Sequence, residues 1–323
     1  MPTIKDVAKR ANVSVATVSR VLNKTGYVNE ETKKLVDAAI KDLNYIPNEL
    51  ARSLYKRESR IIGVIIPHLS TYFFGELIET IEEYFVADNY KIMIFNVRED
   101  LSQEEKIFNV LSQYNIDGLI LITHLPNMER YLKLDIPIIS IDHRSNNALP
   151  SISSDNVEGG RMAARHLIEC GARTLLHIRG PSVLSTVQDR TQGFREVLDK
   201  EGYKVESLDV DFRTPSLTQI QAFITDNPQA DGVFCDSDTL AFTAMRAITL
   251  NGKSIPGDIQ VVGFDNIEMS ELFTPSLTTI EQNIDNLAKA AHETLIKKIK
   301  KEDVANDHIT LPVRLINRES TRR

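Results

Sequence analysis

At 323 residues, 42% of them hydrophobic, the chain is long enough to bury a large core in more than one domain. The net charge of −7 would argue against nucleic acid if it were evenly spread. It is not: residues 1–60 hold 12 Lys/Arg against 7 Asp/Glu (+5), and the remainder holds 26 against 38 (−12). Two cysteines, Cys170 and Cys235, exclude a disulfide-stapled fold and read as reduced, buried thiols; no leader segment precedes the first charged residues, and the longest apolar runs, 61–67 and 118–122, are too short to cross a bilayer, so a cytoplasmic protein with no membrane partner is expected.

The first elements in chain order are small helices. Residues 4–11 predict a helix with Thr3 at its cap and Asp6 three residues on. Residues 12–14 make a tight turn, and Ser14 can cap a second helix over 15–22. Val18, Val21 and Leu22 form an apolar stripe that can pack on Val7 and Ala8, leaving Val15, Ala16, Ser19 and Arg20 outward. Two helices this short cannot close a core, so a third is required; it starts at 29–32 and carries Leu35, Val36, Ala39, Ile40 and Leu43 at helical spacing. Three small helices with one exposed polar face, in the basic part of the chain, are the layout of a DNA-reading head. Pro47 stops the third helix region. Residues 48–54 can form one or two helical turns, which in water would order only against a partner such as DNA and a second subunit.

From residue 61 the pattern changes to strands alternating with amphipathic helices. Strands are expected over 61–66, 91–95, 118–122, 136–141, 174–178, 232–234, 259–262 and 309–316. Helices are expected over 74–87, 103–114, 157–170, 190–200, 217–225, 240–250 and 285–299. The result is a parallel α/β body whose length suits two linked sheets. The expected division is a helix-turn-helix head over 1–47, a hinge helix and linker over 48–59, and a body over 60–323.

The head IKDVAKRANVSVATVSRVLN, the hinge NYIPNELARSL and the body segments SSDNVEGGRMAARHL, VVGFDN and TPSLTTIEQ together resemble the lactose/galactose repressor family of bacterial transcription regulators, over essentially the full length. Within it, SSDNVEGGRMAARHL with LPVRLINRES is similar to regulators of sucrose or ribose use. The resemblance implies a body like the periplasmic sugar-binding proteins, with two α/β subdomains of parallel strands and a ligand between them at strand ends. It places Val15, Ala16 and Arg20 against base edges, where Arg20 can pair bidentately with guanine and the other two offer only apolar contact. Ser14, Thr17, Ser19, Asn23 and Tyr45 become phosphate or backbone contacts. Asn48, Ala51 and Leu54 join the DNA-binding set from the hinge, with Leu54 as the wedge into the minor groove. In the body it brings Phe73, Phe74, Asp142, Arg190, Ser237, Asp238 and Asp265 to the ligand cleft; a helix-capping role for Asp238 is as good a reading as ligand contact.

Three carboxylates and one guanidinium suit a neutral, hydroxyl-rich molecule, so a small sugar is the expected effector. The implied partners are double-stranded operator DNA, that effector and a second copy of the chain. A phosphorylated carrier protein or a purine is the alternative signal. No cofactor, metal or catalytic residue is expected: paired carboxylates could serve a glycosidase, but no G-x-S-x-G, phosphate-cradling glycine loop or H-E-x-x-H occurs, and the seven histidines are scattered. A periplasmic transport receptor is the other rival, against which the DNA-reading head counts. The end at Arg323 leaves no room for a leucine-heptad tail, so a dimer is expected.

Overall fold

The computed structural model describes residues 2–23, 25–46, 58–97, 101–122, 131–142, 149–305 and 308–322. The chain divides into two compact units, Met1–Ser59 and Arg60–Arg323. Most of the expected hinge, with Asn48, Ala51 and Leu54, lies outside the described residues.

The head consists of α1 (Ile4–Arg10), α2 (Val15–Asn23) and α3 (Glu30–Asp42). Thr3 donates from its N–H (2.8 Å) and its Oγ1 (2.7 Å) to the Asp6 carboxylate, which holds that acid below its usual range. Asn12 turns the chain in the left-handed region at φ 55°, and the Ser14 hydroxyl accepts the Thr17 N–H at 3.1 Å to start α2. Asn29 does the same for α3 through Thr32 N–H at 2.7 Å. Val7, Ala8, Ala11, Val18, Val36 and Ala39 close the core, with Val21, Leu22, Ile40 and Leu43 packed around it. Leu35, expected in that stripe, is instead 57% exposed. It sits one residue, about 100° of helix, from Val36, and the 36/39/40/43 positions already fill the buried face.

The body carries two six-stranded sheets. The first runs in the order β11–β5–β4–β3–β1–β2, built from β1 (Ile61–Ile66), β2 (Lys91–Asn96), β3 (Gly118–Leu121), β4 (Ile138–Ile141), β5 (Ser151–Ser154) and β11 (His308–Leu311), all parallel. The second runs β12–β10–β9–β8–β6–β7, from β6 (Leu175–Arg179), β7 (Val205–Asp209), β8 (Gly232–Cys235), β9 (Gln260–Asp265), β10 (Thr278–Glu281) and β12 (Arg314–Ile316); only β12 is antiparallel. Helices α4 (Tyr72–Ala87), α5 (Leu101–Gln113) and α11 (Ile284–Ile299) cover the first sheet. Helices α6 (Asn156–Glu169), α7 (Ser185–Glu201), α8 (Leu217–Asp226) and α9 (Asp238–Leu250) cover the second, and α10 (Met269–Leu272) is a single turn. Covering both faces is what near-continuous apolar strands such as IIGVII require.

The chain crosses between the sheets three times: from β5 into α6, from β10 into α11, and from β11 into β12. The last crossing splits the single strand expected over 309–316, because Pro312 has no N–H for a ladder and Val313 swings into the core of the second sheet. Cys235 is buried as expected, whereas Cys170 is only partly buried.

Helices α6 and α7 touch backbone to backbone. A Cβ on Gly193 would stand 1.8 Å from the Val157 carbonyl oxygen, and one on Gly160 would stand 2.2 Å from that of Arg190. In an open helix, Gly→Ala stabilises by about 1 kcal/mol; here the sign should reverse. Gly193→Ala is expected to destabilise the body by about 1–3 kcal/mol. Urea unfolding followed by circular dichroism measures it, and a raised midpoint would show that the two helices separate freely.

Candidate DNA-reading face and effector cavity

On the head, Val15 (41% exposed), Ala16 and Arg20 are the exposed residues of α2 among those expected at base edges, while Val18 is buried. The polar residues between them are partly occupied within the helix. Ser14 Oγ holds the Thr17 N–H and lies 2.9 Å from Thr17 Oγ1, while Asn23 donates to Ser19 Oγ at 3.2 Å. Tyr45 packs, half buried, against the head core.

In the body, a cavity of about 260 Å³ is lined from both sheets. Asp142 follows β4, Asp265 ends β9, Ser237 follows β8 and caps α9, and Arg190 stands on α7; Phe73 and Phe74 enter from the first turn of α4. The two rings meet edge-on at 5.6 Å; Phe73 is also part of the core of the first sheet, and both reach the cavity wall. Strand C-terminal ends are where open α/β sheets collect ligands, because neighbouring loops diverge there.

Arg190 is the centre of this set. Only 4% exposed, its guanidinium carbon stands over the Phe264 ring 3.7 Å from the centroid; the group donates from Nε to Asn156 Oδ1 at 2.8 Å and from Nη1 to the Asp236 carbonyl. Those bonds occupy two of its five donors. Burial pushes the Asp142 carboxyl up to about 6, with Arg190 and a Ser154 N–H bond pulling the other way. Burial also raises Asp265 well above the carboxylate range, opposed by Arg190 and reinforced by the negative charge of Asp238. Asp142 Oδ1 is buried and has no hydrogen-bond partner. Both acids stand on left-handed backbone, φ 56° at Asp142 and 120° at Asp265, with Asn266 next at 59°. Such conformations persist only when surroundings hold them. Here Arg318 donates to Asn266 Oδ1 (2.8 Å), and Asn266 donates to Glu281 (3.0 Å).

Comparison with known proteins places this geometry. Residues 3–48 match the family described as bacterial regulatory proteins, lacI family, and residues 164–321 match the periplasmic binding protein-like domain. The ribose operon repressor of Halalkalibacterium halodurans is 40% identical over 323 residues, spanning 100% of this chain and 98% of its own. This chain belongs to the lacI family of bacterial regulatory proteins. As a member, it is a DNA-binding regulator of transcription. Among solved structures, the lac repressor dimer bound to operator and the anti-inducer ONPF superposes with a TM-score of 0.91 at 26% identity, covering 100% of this chain and 99% of that one. A periplasmic binding protein/LacI transcriptional regulator from Alkaliphilus metalliredigens, complexed with D-xylulofuranose, gives 0.75 at 34% identity, covering 81% and 99%.

The lacI-family body brings six of the seven expected cleft residues to one cavity, Asp238 being the exception. Its carboxylate accepts from Ile267 N–H (3.0 Å), Ser270 Oγ (2.6 Å) and Thr279 Oγ1 (2.6 Å), all behind the cavity wall. Asp238 is therefore a structural anchor for the 265–270 loop, and the site holds two carboxylates, not three. The sequence reading also missed Gln282, which lines the cavity, donates to Asp265 at 2.7 Å and keeps its Oε1 buried without a partner. The signal available for it was the glutamine in TTIEQ, a polar residue directly after a buried strand. Phe212 and His68, also missed, complete opposite walls. Among the described residues, no three His, Cys, Asp or Glu side chains are placed to hold a metal ion, and no helix is long and apolar enough to cross a membrane.

The raised acids fix the sign of a pH effect. Asp142 binds its proton more tightly folded (about 6) than in an open chain (3.8), so body stability falls as pH rises from about 4 to 6. Asp142→Asn should flatten that fall and raise stability at pH 7.5 by at most about 3 kcal/mol. Urea titrations at several pH values test it; an unchanged pH slope would remove Asp142 from the effect.

Proposed function

We propose that this chain represses a sugar-utilisation operon, binding a near-palindromic operator as a homodimer under the control of a pentose held in the body cavity. The observation that carries this reading is the cavity itself: one buried guanidinium between two carboxylates, with aromatic rings at one wall and about 260 Å³ of space. Drug-sized ligands occupy pockets of roughly 300–1,000 Å³, so one sugar ring suits this volume better than a disaccharide. Carboxylates accept from vicinal hydroxyls, and the guanidinium donates to a ring or hydroxyl oxygen. A relative that represses a ribose operon and a similar structure holding D-xylulofuranose both support a five-carbon sugar.

The division proposed for the chain is a head over 1–47, a hinge over 48–59 and an effector body over 60–323. Val15, Ala16 and Arg20 are read as base contacts, with Ser14, Thr17, Ser19, Asn23 and Tyr45 toward the backbone. We read the protein as a regulator and not an enzyme: its relatives are repressors, and Asp265 is already engaged by Gln282 rather than set as a free acid or base. DNA as partner supports a cytoplasmic location. The sugar can alter operator affinity only through its differential affinity for two body conformations.

Calorimetry on the full chain should give heat with D-ribose, lost by at least about 30-fold in affinity in Arg190→Ala, which strips a buried charge from its network. Binding to hypoxanthine with none to any pentose would overturn the proposal. On an operator recovered by selection from random duplexes, Arg20→Ala removes one bidentate guanine contact from each head of the dimer, each worth about 5- to 150-fold, so binding should weaken by about 25-fold or more. Gel shifts with and without ribose should differ; identical shifts would deny the sugar a regulatory role.

A further inference from the structure

The first crossing between the sheets runs from Ser154, the last residue of β5, to Asn156, the first residue of α6. Asn156 is only 3% exposed, and its amide is divided between the two subdomains. Its Oδ1 accepts Arg190 Nε at 2.8 Å on the side of the second sheet, and its Nδ2 donates to the Ser154 carbonyl at 3.0 Å on the side of the first. The partners force this orientation of the amide, since a guanidinium only donates and a carbonyl only accepts. Ser154 in turn donates its N–H to the Asp142 carboxylate. A polar path therefore runs from Arg190 through Asn156 and Ser154 to Asp142, and both of its ends line the same cavity. At the far end, Asp142 Oδ1 is buried without a partner.

We infer that Asn156 is a positioning residue that couples effector occupancy to the crossover: a ligand bridging Arg190 and Asp142 closes this path into a ring that fixes the backbone at 154–156. The inference rests on the proposed sugar site but concerns a residue outside the cavity lining. The other crossings are built differently. Gln282, at the second, bonds back to Asp265 within its own subdomain, and Pro312, at the third, has no donor to offer. Among the described residues of the three crossings, Asn156 is the side chain whose hydrogen bonds reach both subdomains. An open path leaves the crossover free to sample more than one geometry; a closed one biases it, which is the differential interaction that regulation requires.

Amide hydrogen exchange on the full-length chain tests this without a ligand. Asn156→Ala and Arg190→Ala should each speed exchange at Ser154 and Asp155 by about tenfold, and the double variant should be no faster than the faster single one, because the two act through one path. Additive effects, or none at Ser154, overturn the inference. Adding D-ribose should slow these amides in the wild type. Asn156→Asp keeps the acceptor for Arg190 and removes the donor to Ser154, so it should retain ribose affinity within about threefold yet lose the slowing; a purely structural role would move the two together. Wild-type slowing in Asn156→Asp, or an affinity loss as large as in Arg190→Ala, would overturn the inference. If the wild type ignores ribose, the pentose reading fails by itself and the ligand-free comparison alone decides the role of Asn156.

Discussion

A single guanidinium, Arg190, buried between two subdomains, is the group on which the rest of the body depends. A charge in that position is tolerable only if its surroundings replace the water it lost. The replacement is specific: the Phe264 face beneath, Asn156 at one edge, the Asp236 carbonyl at another, and two carboxylates across the cavity. Each of these makes its own demand on the sequence. Phe264 fits because Gly159 has no Cβ, which would lie 2.6 Å from the ring. Helix α7 comes close enough to deliver Arg190 because Gly160 and Gly193 let it touch α6. Asp236 is fixed through its carboxylate, which takes His177 Nε2 at 2.8 Å and the Gly180 N–H at 3.2 Å, while His177 stacks on Phe234 at 4.8 Å. Within the segment SSDNVEGGRMAARHL, Asn156 grips the charge, and Gly159 and Gly160 make room for it.

The acids answer to the same constraint from the other direction. Burial favours their neutral forms and Arg190 favours their charged forms, and for both acids burial wins, holding them above the ordinary carboxylate range. Holding them there takes strained backbone, and the C-terminal segment supplies the restraint. Arg318 spans from the Leu277 carbonyl (2.8 Å) to Asn266, and Ser320 bonds to Val261 (2.6 Å) and Thr278 (2.8 Å). The return of the chain to the second sheet after β11 follows from this: without it, the turn carrying Asp265 would lose its brace.

What the sequence revealed, and what it hid, divides along physical lines. The head helices and the apolar strands were legible because hydrophobic periodicity reports burial directly. Strands β5 (SISS), β7 (VESLD) and β10 (TTIE) carry little of that signal and were missed, though β5 and β10 lie within the sheets. In β5 and β10, polar side chains find partners distant in sequence: Ser151 in His308 at 2.7 Å, Thr279 in Asp238, Thr278 in Thr321 at 2.9 Å. Helix α7 begins at Ser185, not 190, because its first turn faces the cavity and shows no apolar repeat. Asp238 failed for a simpler reason: at the first position of a helix, small rotations decide whether a carboxylate looks into the cleft or behind it. Composition cannot record that choice, whereas Ser270 and Thr279, far along the chain, make it.

The energetics of the head then indicate where control must act. Under the proposed reading, its α2 offers two apolar side chains and one arginine to the bases, and direct base reading by one head would then be worth about 1–3 kcal/mol on the strength of a single bidentate contact. Discrimination between an operator and the bulk of DNA takes about 4–10 kcal/mol. In the proposed dimer the difference must come from two heads engaging together and from deformation of the duplex, both of which depend on how the heads are spaced. In that proposed dimer, the bodies would set the spacing. A ligand that fixed 154–156 at the crossover would touch no base and no phosphate, yet in this reading it would act on the quantity that supplies most of the specificity. If the two proposals hold, control through the crossover would act on a larger share of the specificity than control through the reading helix, and the head could remain a small, constant module.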